Sequence, residues 1–197
     1  MEDSYHSGED VLTLEEADPV IIRLANTLDA KYAYFIVQEM EASAKARGTG
    51  IGRRSVESIC QKMDSGDAVI AVTENGQWVG FCYVETWQDG KFVSNSGMIV
   101  SPAFRKQGVA TAIKQRIFNL CRQKYPDANI FSITTGLAIM KLNSKLGFEP
   151  VTYSEITNDE QFWHKCSHCV NYSVLQSKGC KNCFCTAMLY DAQAHKQ

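Results

Sequence analysis

The stretch SPAFRKQGVATAIKQRIF, residues 101–118, decides how the chain is read. Val109, Ile113 and Ile117, followed by Leu120 and Cys121, recur three or four residues apart, the period of one helix face. The predicted helix covers 107–125 and is closed by Pro126. Its first turn holds Gly108, although glycine inside a helix costs roughly 1 kcal/mol relative to alanine. A helix N-terminus presents unpaired N–H groups and the positive end of the macrodipole. Gly108 and Ala110 leave space above those groups, and Arg105 and Lys106 add positive charge beside them. The combination suits an anion such as a phosphate. Two rival phosphate motifs fail: there is no GxxxxGK[ST], and GTGIG at 48–52 does not follow a strand.

Working outward, the hydrophobic period on the N-terminal side is two rather than 3.6. DAVIAVTE (67–74) and QWVGFCYVETW (77–87) are strand-like runs joined by Asn75-Gly76, a strong hairpin signal. Asp89-Gly90 turns into KFVSNSGMIV (91–100), which completes a three-stranded antiparallel meander. Further upstream, VIIRLA (20–25) reads as a strand. Residues 27–47 read as a helix with the stripe Ala33, Ile36, Val37 and Met40, and Ser55 caps a second helix. On the C-terminal side, 129–135 reads as a strand, 137–146 as a helix ended by Gly147, and 185–191 as a closing strand. Residues 1–17 read as a mobile acidic tail. The order implies an α/β or α+β fold, one mixed sheet flanked by helices, in a single domain over 18–191.

The chain has 197 residues, enough for one full core, and a formal charge of −2. That balance gives no reason to expect nucleic acid. The acidic N-terminus does not read as a secretory signal, and no apolar run reaches membrane-span length, so a cytoplasmic protein is expected. Oligomeric state stays open, a homodimer included.

The pattern Arg105-x-x-Gly108-x-Ala110 after a strand resembles the acyl-CoA motif [QR]-x-x-G-x-[GA] of the GNAT superfamily of N-acyltransferases. Leu142-Asn143-x-x-Leu146-Gly147-Phe148 resembles that family's second CoA-side helix, and element order agrees over about 18–155. The resemblance implies a mostly antiparallel GNAT-like sheet and acetyl-CoA, or another acyl-CoA, as donor. Its pyrophosphate would rest on the backbone of Lys106, Gln107, Gly108, Val109, Ala110 and Thr111, helped by Arg105. Pantetheine would run along Met98 and Val100, and the thioester would enter a gap between 96–100 and 129–135. Many relatives place a carboxylate base mid-way along the fourth strand, but here that stretch is Ser94-Asn95-Ser96. Glu85, acting through a water, is the nearest substitute. The family's acid tyrosine falls on Asn143, and oxyanion stabilisation falls to the Met98 N–H.

Arg47, Arg53 and Arg54 crowd a glycine-rich loop, and arginine suits carboxylates. Gly50-Ile51-x-x-Arg54-Ser55-x-Glu57 resembles the acetyltransferase domain of N-acetylglutamate synthases. The acceptor is therefore expected to be a small amine bearing a carboxylate, with glutamate the leading guess. Tyr83, Trp87, Phe92 and Asn95 are expected to line the same cleft. A non-catalytic acyl-CoA-binding module is the rival reading.

Five of the eight cysteines crowd into 166–185. Cys166-x-x-Cys169, then Cys180-x-x-Cys183-x-Cys185, has the spacing of a structural zinc site. The preferred ligands are Cys166, Cys169, Cys183 and Cys185. Cys180 is the alternative, and His164 and His168 are candidate substitutes. Cys60, Cys82 and Cys121 read as buried small hydrophobes.

Overall fold

Residues 10–12, 18–48 and 53–194 are described by a computed structural model. The strands are β1 (Asp10–Leu12), β2 (Val20–Leu24), β3 (Ala68–Thr73), β4 (Trp78–Trp87), β5 (Phe92–Val100), β6 (Asn129–Thr134), β7 (Glu149–Val151) and β8 (Thr186–Tyr190). The α-helices are α1 (Ala33–Arg47), α2 (Val56–Asp64), α3 (Val109–Lys124), α4 (Leu137–Lys145), α5 (Glu160–His164) and α6 (Tyr172–Ser177). The sheet order is β1-β2-β3-β4-β5-β6-β8-β7, antiparallel except where β5 meets β6. This is the mixed, mostly antiparallel sheet that the meander and its flanking helices imply.

Two apolar surfaces of the sheet are covered separately. Val69, Ala71 and Val84 pack under Ile113 and Ile117 of α3. Ile70 and Phe81 pack on the opposite face against Ile36 and Met40 of α1 and Ile59 and Met63 of α2. A third cluster, built on Trp87, Phe131, Phe162 and Leu175, seats the Cys-rich segment against the far half of the sheet.

The sheet splits in its middle. β5 and β6 pair only at Phe92↔Asn129, Val93↔Ile130 and Ser94↔Phe131. Beyond Ser94, β5 stays with β4 up to Val100, while β6 stays with β8 up to Thr134. A register shift in the β4–β5 ladder between Phe81 and Tyr83 marks a bulge, and Gly97 lies in it with φ +64°. Bulges bend the strand that carries them. The result is a wedge between the ends of β5 and β6, at the place expected to admit the thioester.

Three element boundaries depart from expectation. Residues 10–12, expected within a mobile tail, form β1, whose backbone pairs with β2 at Asp10↔Ile22. Residues 27–32, expected as α-helix, are a 3-10 turn started by an Asn26–Asp29 capping box. α3 begins at Val109 rather than 107, so Gly108 is its N-cap and not an interior residue. Among the described residues, no helix is long and apolar enough to cross a membrane.

Asp29 is 2% exposed and takes two 2.8 Å bonds from the Arg23 guanidinium. Burial works against its charge, but Arg23 and the Asn26 N–H outweigh burial and hold its pKa below the ordinary value. A carboxyl with a depressed folded pKa contributes stability above about pH 4, and loses it as pH falls through the folded value. Arg23→Ala strands a buried carboxylate and is expected to cost about 3 kcal/mol at neutral pH. Urea unfolding from pH about 6 down to about 3 should show that this deficit shrinks as Asp29 protonates.

Candidate active site

The turn between β5 and α3 explains Gly108. Gly108 has φ +84° and Lys106 φ +64°, two left-handed residues separated by one. Alternating backbone of this kind turns successive N–H groups into a concavity suited to anions. Thr111 and Ala112 already donate back to the Gly108 carbonyl, at 3.0 and 3.2 Å. The Val109 and Ala110 amides belong to the first helical turn, which has no intrahelical acceptor. Glycine is thus present for its backbone angle as well as for its missing side chain. Arg105 does not lean over this cradle. Its guanidinium donates to the Val100 carbonyl (3.0 Å), Glu39 Oε1 (2.6 Å) and Ser43 Oγ (2.8 Å), tying the turn to α1.

Along β5, Ser101 N–H donates to Val79 O at 2.8 Å. Because antiparallel partners alternate, Val100 turns its N–H away from β4 and towards the wedge, and Met98 follows the bulge two residues earlier. Asn143 is elsewhere. It is fully buried, its Nδ2 donates to Met188 Sδ at 3.6 Å, and its Oδ1 has no hydrogen-bond partner. The side chain is thus enclosed between α4 and β8.

The opposite side of the wedge is built on β4. Tyr83, Glu85 and Trp87 alternate onto the face shared with α1 and α2. Arg54, just before α2, hydrogen-bonds the Tyr83 hydroxyl through Nε. Lys165, from the Cys-rich segment, pairs with Glu85 and lies 4.6 Å from the centre of the Trp87 ring. Burial pushes the Tyr83 hydroxyl to a raised pKa, which keeps its proton in place. Trp87 Nε1 donates to Ser94 Oγ at 2.9 Å, and Ser94 Oγ lies 3.1 Å from Ser96 Oγ. Two serines therefore stand on this face of β5.

Arg47 is exposed at the end of α1, and Arg53 is 77% exposed with Glu41 4.0 Å away. Of the three arginines, Arg54 is the one seen to reach β4. Gly50 and Ile51 lie outside the described residues. Lys165 was not anticipated, since nothing in the linear pattern connects it to Glu85.

Asn95 corrects an expectation. It faces α3, not the cleft, with Oδ1 accepting from Lys114 Nζ at 3.0 Å and Nδ2 donating to Cys121 Sγ at 3.1 Å. Lys114 is 2% exposed, and burial lowers its pKa. Burial likewise pushes the Cys82 thiol up to about 11 and that of Cys121 to about 12. These two cysteines are the buried small groups expected, whereas Cys60 is half-buried.

Cys166, Cys169, Cys183 and Cys185 line one cavity of about 20 Å³. Cys180 and His164 line the neighbouring groove instead, and His168 Nδ1 lies 2.9 Å from Ser167 Oγ. All are free thiols, and burial pushes Cys166 up to about 11 and Cys185 to about 12. Among the described residues, no three His, Cys, Asp or Glu side chains stand in a metal-holding arrangement. The four preferred ligands share that cavity without forming a ligand geometry.

Residues 64–150, from the end of α2 to β7, match a family model described as Acetyltransferase (GNAT) domain. Over that stretch the sequence is similar to GNAT acetyltransferase domains. The match takes in the meander, the Gly108 turn, α3 and α4. Solved structures of the same fold extend the similarity to most of the chain. N-acetylglutamate synthase from Neisseria gonorrhoeae, complexed with coenzyme A and N-acetyl-glutamate, is 16% identical with a TM-score of 0.60. That similarity covers 86% of this chain but 34% of the synthase, so the chain spans about a third of it. Rv2747 from Mycobacterium tuberculosis, in complex with CoA, is 18% identical with a TM-score of 0.61, over 86% of this chain and 98% of that one. A GNAT superfamily phosphinothricin acetyltransferase from Sinorhizobium meliloti, with acetyl-CoA, is 14% identical with a TM-score of 0.58 over 87% of each. At these identities the likeness establishes the GNAT fold. No curated protein matches the chain significantly.

Proposed function

We propose that this protein moves an acetyl or other short acyl group from acyl-CoA to the amine of a small carboxylate-bearing acceptor, with glutamate as the leading candidate. The observation that carries the acceptor reading is on β4. Separate parts of the chain bring Arg54 to Tyr83 and Lys165 to Glu85, two residues apart on one face. Such positions lie about 7 Å apart along a strand. A cleft with two cations and one carboxylate at that spacing complements an amino acid, whose ammonium suits Glu85 and whose carboxylate suits Arg54 or Lys165.

The donor would lay its pyrophosphate on the amides of 106–111 and its pantetheine along Met98 and Val100, with the thioester in the wedge. The acceptor ammonium gives a proton to Glu85, directly or through a water, and the amine nitrogen attacks the thioester carbonyl carbon. The Met98 N–H meets the negative oxygen of the tetrahedral intermediate. The carbon–sulfur bond then breaks, and the nitrogen's second proton passes through a water to the leaving thiolate, giving the amide and the free CoA thiol.

Hydrogen bonds to charged groups are worth about 1.5–3 kcal/mol. Arg54→Ala is therefore expected to lower kcat/KM for the acceptor about 30-fold, with little change in the KM of acyl-CoA. Esterifying the acceptor's carboxylates should have a comparable effect on the unaltered protein. Equal turnover of glutamate and its diester would remove the carboxylate from the reading. One observation favours the non-catalytic alternative, because Glu85 is already engaged by Lys165. Saturable CoA binding without thiol release for any amine would select it.

A further inference from the structure

We infer that Cys166, Cys169, Cys183 and Cys185 hold one zinc ion, and that this ion braces the wall that presents Lys165 to Glu85. These four thiols line a single cavity of about 20 Å³, while the fifth cysteine of the segment, Cys180, lines the neighbouring groove. Convergence of the first pair with Cys183-x-Cys185, and not with Cys180, selects one ligand set from the alternatives that spacing leaves open.

Local backbone chemistry agrees. Cys169 N donates to Cys166 O at 2.8 Å, closing the first C-x-x-C into a tight turn. Asn171 N, two residues past Cys169, points at its sulfur at 3.4 Å. N–H groups aimed at a ligating sulfur stabilise the thiolate that a metal requires. The walls between the sulfurs are mainly apolar, with Ile133 and Leu175 among them, surroundings that suit soft thiolate ligands.

The thiols ring the cavity without closing to ligand distance. Zinc–sulfur bonds of about 2.3 Å would draw them onto one centre. With four protein ligands the ion has no open position, so its role is structural. The segment needs such a staple, since its regular structure is two short helices, α5 and α6, and a 3-10 turn at 165–168. Lys165 immediately precedes the first ligand, so fixing Cys166 fixes the backbone from which Lys165 reaches Glu85.

The full chain, purified under reductant and without chelator, is expected to contain one zinc per chain by elemental mass spectrometry. Exchange for Co²⁺ is expected to give the absorption bands of a tetrahedral thiolate site. Cys180→Ser is expected to keep the metal and Cys183→Ser to lose it. The Co²⁺ titration of the unaltered chain, followed by circular dichroism, decides the matter even where a serine variant does not fold. A metal-free chain that takes up no Zn²⁺ or Co²⁺ overturns the site, and loss of metal from folded Cys180→Ser overturns its ligand set. Removing the metal is also expected to raise the acceptor KM several-fold while the KM of acyl-CoA stays unchanged; equal shifts overturn the bracing. That last readout rests on the proposed acceptor, whereas the metal count does not, so the two failures are distinguishable.

Discussion

Gly97→Ala is expected to lower the free energy of unfolding by about 3 kcal/mol. Gly97 combines φ +64° with a close approach: a Cβ there would stand 2.4 Å from Tyr83 Cε1, 2.9 Å from Cδ1 and 3.0 Å from Met40 Cε. Left-handed backbone costs an L-residue roughly 1–2 kcal/mol. Forcing one extra carbon into a packed core adds about 1–3 kcal/mol. Tyr83 cannot retreat cheaply, because its ring is 2% exposed and its hydroxyl is bonded to Arg54. The same displacement would disturb the bulge beside the wedge, so activity should fall with stability. Gly90→Ala is the control, since Gly90 has φ +82° with nothing within 4 Å of an added Cβ. It should show the backbone cost alone, about 1 kcal/mol. Urea unfolding followed by circular dichroism measures both, and equal losses would mean that the contact with Tyr83 contributes nothing.

Gly108→Val is expected to weaken CoA binding by about 100-fold, or about 2.7 kcal/mol. A β-branched residue at φ +84° is a strong outlier, so the chain has two poor options. It can hold the angle and place a branched side chain over the amides of α3, or relax the angle and rotate those amides away. Both remove the anion cradle. Gly66→Val separates strain from cradle, because Gly66 has φ +65°, open space around it, and a place in the α2–β3 turn. It should lose stability and leave CoA affinity unchanged. Calorimetric titration with CoA distinguishes these outcomes.

The meander was legible because its signals are local: Asn75-Gly76 and period-two alternation need only neighbouring residues. The Gly108 turn was legible in kind, although its place at the N-cap shows that the backbone angle matters as much as the absent side chain. The Asn26–Asp29 capping box marks where the 3-10 turn starts, whereas apolar periodicity runs through its junction with α1 unbroken. Asn95 was misplaced by a fault of parity. Phe92 and Asn95 are an odd number of residues apart, so a regular strand sends them to opposite faces. Strand β1 lies in an acidic stretch of low strand propensity, and it forms where β2 offers an edge to pair with. The Lys165–Glu85 pair joins residues eighty apart, and only packing of the Cys-rich segment against Trp87 and Phe131 brings them together. Asn143 matched a motif position, but a motif fixes spacing, not burial.

The most direct test follows thiol release from acetyl-CoA by the purified chain across a panel of amines, with product masses recorded. The expected result is saturable release driven by glutamate or another carboxylate-bearing amine, giving the N-acetyl product. Carboxylate-bearing amines that stay inert while peptides or polyamines are acetylated would contradict the acceptor assignment. CoA that binds without release under any amine would contradict the transfer itself.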